Sequence, residues 1–241
     1  MFTYKYNAMK EEYNRDTNPY PSSGKKYNNE KAIISLTSWK ARINTVSKTL
    51  FSLIKQCPGF HIVLVLSEEE FPQKEKELPE NLMVFVENEL IEVLWVYKNV
   101  KAMKKVLFTM NKYRDVPIIS ADDDCIYNCN YAQEMYDLWL KDKNSVVRYT
   151  DFNYYDGYKG TQGPSTLYSP LVYHLFLDKL KDKKTIIEFQ AYDDAFLSNT
   201  LLSNNIKIQS VAPKFCFTFH DEIGAIHPNL KSLKLYEECY R

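Results

Sequence analysis

Net charge is missing from this chain: Lys plus Arg and Asp plus Glu number 31 each. That balance excludes a nucleic-acid binder living off bulk charge, although local patches survive it. No apolar run reaches the 18 residues of a membrane span, and the opening "MFTYKYNAMKEEYNRD" lacks the apolar core of a signal peptide, so a cytoplasmic location is expected. Glycine is scarce, six residues, while apolar types make up 45%, which excludes disorder over most of the length. The five cysteines are odd in number and form no C-x-x-C pair. Cys125 and Cys129 stand four apart, but no second pair or nearby His completes a zinc site, and all five read as reduced thiols. Repeats and low-complexity blocks are absent too.

What is present is a pattern of strands and helices. Residues 1–30 are polar, rich in Tyr, Asn and Lys, and read as a mobile leader or loosely packed arm. Globular patterning starts at Ala32, and residues 31–241 are expected to form one domain. "AIISLTS" reads as a buried strand. Ile43, Val46, Leu50, Leu53 and Ile54 then share a helical face, with Asn44 or Thr45 as the cap and Pro58 as the stop. "HIVLVLS" and "IEVLWVY" are two more strands, separated by an acidic, Pro-containing stretch. A basic helix follows with Met103, Val106, Leu107 and Met110 on its apolar face, and "VPIIS" leads into three aspartates. Near-continuous apolar strands alternating with helices predict a mostly parallel sheet covered on both faces. Further helices are expected over Tyr131–Lys141 and from "AYDDAFL", with strands at "SVVRYT" and the single strand-like run "KIQSVAPKFCFTF".

Right-handed crossovers place the C-terminal ends of parallel strands on one edge, where open α/β sheets bind ligands. Asp122, Asp123 and Asp124 fall at such an end, as do "TSWKAR" and "KNVKAMKK". Three adjacent carboxylates repel one another, and a divalent, oxygen-liganded cation such as Mg²⁺ or Mn²⁺ would relieve this. A plain turn is the simpler explanation. An EF-hand loop fails, because counting from Asp122 its required Gly and Glu positions hold Tyr127 and Gln133. A D-x-D phosphohydrolase stays open, with the Asp193–Asp194 pair in support. Against it, two strand–helix units precede the aspartates, and Ile126 stands where Thr or Val is usual.

The motifs "SLTSWKARI", "KKVLFTM", "ISADDDCIY", "GPSTLYSP" and "AYDDAFLSNTLL" occur in an order that resembles a family of bacterial glycosyltransferases. Its motifs are T-S-x-x-x-R, T-K-L, D-D-D-I-x-Y, G-G-x-L-Y-P-P and A-D-D-I-W-L. The chain departs from them at Ser165, Thr166, Ser169 and Phe196. The resemblance implies a GT-A-type nucleotide-sugar-binding fold, with residues 31–127 as nucleotide half and 128–241 as acceptor half. It implies transfer from a UDP-sugar to a glycan or lipid-linked acceptor with inversion, in bacterial surface-polysaccharide synthesis at the inner face of the membrane. Nucleic acid is not an expected partner.

Residue by residue, the resemblance assigns Asp122 and Asp123 to ribose and metal, and Asp124 to the metal directly. Arg42 and Lys105 would meet the nucleotide or its phosphates, and Thr37 the base or ribose. Asp194 would be the base that takes the acceptor proton, with Asp193 as capping partner. His220 is the candidate to complete the metal shell, with His227 as alternative. The "LYSPLVY" segment would line the acceptor side. A nucleotidyltransferase, or a carbohydrate-binding domain without turnover, remains compatible with the same residues.

Overall fold

A computed structural model describes residues 20–56, 58–149, 161, 164–177, 193–212 and 216–218. Among the described residues, eight strands form one sheet in the order β1 (Ser22–Gly24), β4 (Glu92–Val96), β3 (Phe60–Ser67), β2 (Ala32–Thr37), β5 (Ile118–Ala121), β8 (Ser165–Tyr168), β7 (Val146–Tyr149), β9 (Ile208–Val211). The four central strands are β2 (Ala32–Thr37), β3 (Phe60–Ser67), β4 (Glu92–Val96) and β5 (Ile118–Ala121), and they are mutually parallel. Their residues alternate between two cores. Ile34, Leu36, Ile62, Leu64 and Leu66 face one side, and Ile33, Val63 and Val65 the other, all at most 5% exposed. Burial on both faces is why these strands read as continuous apolar runs.

On the first face lie α1 (Val46–Leu53), α2 (Glu80–Glu87) and α4 (Tyr131–Lys141). On the second lie α3 (Lys104–Lys112), α5 (Tyr173–Leu177) and α6 (Asp193–Ser203). Met103, Val106, Leu107 and Met110 are all buried, as their spacing predicts. From β2 the chain steps outward to β3 and β4, then returns through α3 to place β5 on the other side of β2. That reversal opens a crevice between β2 and β5 at their C-terminal ends.

Beyond β5 the sheet changes direction. β8 (Ser165–Tyr168) pairs antiparallel with both β5 and β7 (Val146–Tyr149), while β9 (Ile208–Val211) is parallel to β7. Ser165 therefore sits opposite Ala121 at the aspartate edge, and Tyr168 opposite Ile118 at the far edge. Ser169 bonds the Lys143 carbonyl there (2.6 Å) and the Tyr173 hydroxyl bonds that of Val116 (2.5 Å). The "LYSPLVY" expectation is thus corrected: an antiparallel neighbour carries that segment away from the carboxylates. Just before β8, the Pro164 carbonyl accepts from the Tyr127 hydroxyl, which in turn accepts the Asp122 N–H.

Other departures are local. The acidic stretch contains a 3-10 turn over Lys74–Glu77 and then α2. Thr45 is the N-cap residue of α1, but its hydroxyl bonds the Arg42 carbonyl (2.9 Å) instead of capping an amide. "KIQSVAPKFCFTF" splits into β9 and β10 (Cys216–Thr218), and β10 pairs antiparallel with β6 (Cys125–Tyr127) in a separate two-stranded sheet. Within the polar leader, β1 (Ser22–Gly24) pairs with β4, and Tyr20 is buried. Gly24 has φ +80°, and a Cβ there would lie 2.3 Å from the Ile91 carbonyl oxygen, so the glycine permits this edge pairing. Next to it, Tyr27 packs edge-on against His61 at 5.6 Å, over a buried network centred on Glu92. Glu92 accepts from His61 Nε2 (2.7 Å), Lys112 Nζ (2.5 Å) and the Tyr113 hydroxyl. No helix among the described residues is long and apolar enough to cross a membrane.

Candidate functional site

The crevice between β2 and β5 holds a cleft of about 490 Å³. Each of the four central strands contributes to it at its C-terminal end: Thr37 and Ser38 at the end of β2, Glu70 after β3, Asn99, Lys101, Ala102, Lys104 and Lys105 after β4, and the three aspartates after β5. The sequence places these groups far apart, and topology brings them together.

The three aspartates are not equivalent. Asp123 is 8% exposed and held on all sides: Ser38 Oγ donates to Oδ2 (2.6 Å), Arg42 to Oδ1 (2.8 Å), and Thr49 to its carbonyl (2.9 Å). Such a carboxylate shapes the loop and anchors Arg42. Asp122 meets Lys105 Nζ at 2.5 Å, and Asp124 meets Arg42 at 3.1 Å. Burial, then the charges of Asp122 and Asp123, push the Asp124 carboxyl up to about 6 against the pull of Arg42 and Lys105. The same partners act on Arg42: burial weakens its charge, the aspartates outweigh it, and its basicity rises.

Ligand atoms of Asp122, Asp124 and Cys125 lie within 4.8 Å of one another, so these three could hold a metal ion. Two carboxylates that repel one another, with one carboxyl pushed up, fit a divalent cation. Cys125 is the member sequence reasoning missed. It is buried, and an isolated Cys after three aspartates reads as packing. At the other end of the cleft, Lys104 is buried and bonded to Glu70 (2.9 Å) and Asn99 (2.9 Å), with burial lowering its pKa despite Glu70. It too was missed, because its neighbours Lys101 and Lys105 look the same in sequence.

The expected residues are therefore found in different states. Thr37, Arg42, Lys105, Asp122, Asp123 and Asp124 converge on the cleft. Thr37 donates to the Val65 carbonyl at 2.7 Å. Arg42 and Lys105 are ion-paired with the aspartates, not set apart for phosphates. The helix α6 begins at Asp193, but the side chains of Asp193 and Asp194 lie outside the described residues, as do His220 and His227.

No protein-family profile and no curated protein matches the chain. Solved structures do. TarS of S. aureus matches at 15% identity and TM-score 0.52, over 76% of this chain and 35% of that one. Its 1–349 form matches at 14% and 0.52, over 75% and 58%. The glycosyltransferase GlyE of Streptococcus pneumoniae TIGR4 gives 15% and 0.47, over 76% and 45%. The chain thus spans less than two thirds of these proteins. At such identity the likeness speaks to fold alone. The chain shares with the TarS structures a mixed α/β fold, here an eight-stranded sheet among the described residues with helices on both faces.

Proposed function

We propose that the protein transfers a sugar from a nucleoside diphosphate sugar, a UDP-sugar, to a hydroxyl of a glycan or lipid-linked acceptor, with inversion. The observation that carries this is the cleft at the switch between β2 and β5, in which Asp122 and Asp124 face cationic Arg42 and Lys105. In the reaction the C1–O bond to the diphosphate breaks and a C1–O bond to the acceptor forms. A divalent cation, Mn²⁺ or Mg²⁺, supplies charge neutralisation of the departing diphosphate. Asp122 and Asp124 would hold it. Arg42 and Lys105 would turn from the aspartates to the phosphate oxygens, for which a guanidinium fork and an ammonium suit. Thr37 lies where the ribose or base would meet the end of β2.

The acceptor proton goes to Asp194. In support, α6 starts at Asp193, and Ser198 further along it bonds Thr161, close to the start of β8 at the aspartate edge. A carboxylate at a helix start is favoured in the ionised form that a base needs. His220 is proposed as a further cation ligand: β10 sets Thr218 opposite Cys125, the residue after Asp124, and His220 follows two positions later. Surface-polysaccharide assembly at the inner membrane face is the proposed setting, on the resemblance alone.

Binding is tested first. At a hundredfold excess over Kd, UDP with Mn²⁺ should stabilise the protein by about 2.7 kcal/mol, read as a rise in melting temperature. The same UDP with chelator should do little. Equal shifts in both would remove the cation from the site. Asp194→Asn should then lower kcat about 100-fold with UDP affinity unchanged. Loss of UDP binding in that variant would assign Asp194 to the donor side instead.

A further inference from the structure

We infer that Tyr127 is a positioning residue for this reaction: its hydroxyl fixes the first aspartate relative to the segment that enters β8. The inference rests on the transfer reading above. Tyr127 closes β6 and is 3% exposed, its ring stacked on Tyr131 at 4.5 Å. The ring alone would be ordinary core packing. The hydroxyl is not explained that way. It accepts the Asp122 N–H at 2.8 Å and donates to the Pro164 carbonyl at 2.6 Å. One oxygen atom thus joins the cation loop to a segment 37 residues away.

That segment is braced on its other flank. The Thr161 N–H donates to Ser198 Oγ on α6 (2.8 Å), and the two hydroxyls meet at 3.0 Å. Thr166 Oγ1 donates to the Thr161 carbonyl (3.0 Å), and the Thr166 N–H donates to Ser120 Oγ on β5 (3.0 Å). Pro164 and Thr166 are therefore bonded to β6 and to the aspartate strand β5 on one side. On the other, Thr161 is bonded to the helix that begins at Asp193. Tyr127 is the point where this frame touches the backbone of an aspartate. Asp122 meets Lys105, and would hold the cation, through a side chain whose origin that hydrogen bond sets. Misplacement by a fraction of an ångström in such a frame is costly to rate, because reacting atoms must be aligned as well as near.

Tyr127→Phe keeps the ring and removes only the strut. Calorimetry of UDP with Mn²⁺, well below both melting points, is the test, followed by kcat with donor and acceptor. We expect about fivefold weaker cation-dependent binding and about tenfold lower kcat, with acceptor KM unchanged. A lower melting temperature with binding and kcat unaltered would make Tyr127 structural and overturn the inference alone. Failure of the wild type to bind UDP with Mn²⁺ would overturn the transfer reading and this inference with it. Should Tyr127→Phe not fold, 3-fluorotyrosine at position 127 replaces it. Its hydroxyl donates more strongly and accepts more weakly, so altered UDP–Mn²⁺ affinity supports the strut and unaltered affinity overturns it.

Discussion

Asp124→Asn is expected to give a folded protein whose Mn²⁺-assisted UDP binding is about 1,000-fold weaker, roughly 4 kcal/mol. Asn keeps the shape and one oxygen but loses the charge, and the charge is what a divalent cation uses. The same change should leave the cation-free protein at least as stable as before. The Asp124 carboxyl is pushed up to about 6 by burial and by Asp122 and Asp123, so its ionised form is a net strain on the fold at neutral pH. Removing it costs one ion pair with Arg42 (3.1 Å), while Arg42 keeps Asp123 at 2.8 Å. Calorimetry reads the first effect and melting in chelator the second. A marked fall in melting temperature would show that the cluster is a structural turn whose charge serves Arg42.

The second large effect lies at the opposite end of the sheet. Burial alone would push the Glu92 carboxyl up, but hydrogen bonds from His61, Lys112 and Tyr113 outweigh it and bring it down to about 2. A carboxyl depressed from 4.5 contributes stability that is complete above about pH 4.5 and is lost as pH falls toward 2. The depression corresponds to about 3 kcal/mol. Glu92→Gln should therefore lower stability by about 3 kcal/mol at neutral pH, or about 6–12 °C in melting temperature. It should also flatten the acid limb between pH 4.5 and 2. A variant with the wild-type melting temperature at pH 7 would mean that the network is replaceable by an uncharged amide.

How much of this was legible differs from residue to residue. The helix over Tyr131–Lys141 and the apolar face of α3 follow from spacing alone, since a covered helix shows its period. The parallel strands are as clear, because burial on both faces leaves them dominated by apolar residues. Strand direction is not encoded that way. "STLY" has the same period whether β8 runs with β5 or against it, so the sequence leaves open which edge the following segment reaches. Long-range polar pairs are equally silent: His61 sits in an apolar strand, and nothing nearby in sequence announces Glu92 or Tyr113. At the cleft, residue types singled out Thr37, Arg42, Lys105 and the three aspartates, which the topology brings together. The division of labour among the aspartates came only with Ser38 and Arg42 in view.

The reversal at β8 also bears on how the chain gets built. Strands β2 to β5 follow one another through residue 121 and satisfy one another's hydrogen bonds in succession. Among the described residues, the outer side of β5 is paired by residues 165–168, which arrive much later in synthesis. Until then "IISA" is an apolar, unpaired border of a parallel sheet, the kind of surface that adds a strand from another chain. A nascent chain at that stage is exposed to self-association in a way that the finished molecule, with β5 closed on both sides, is not.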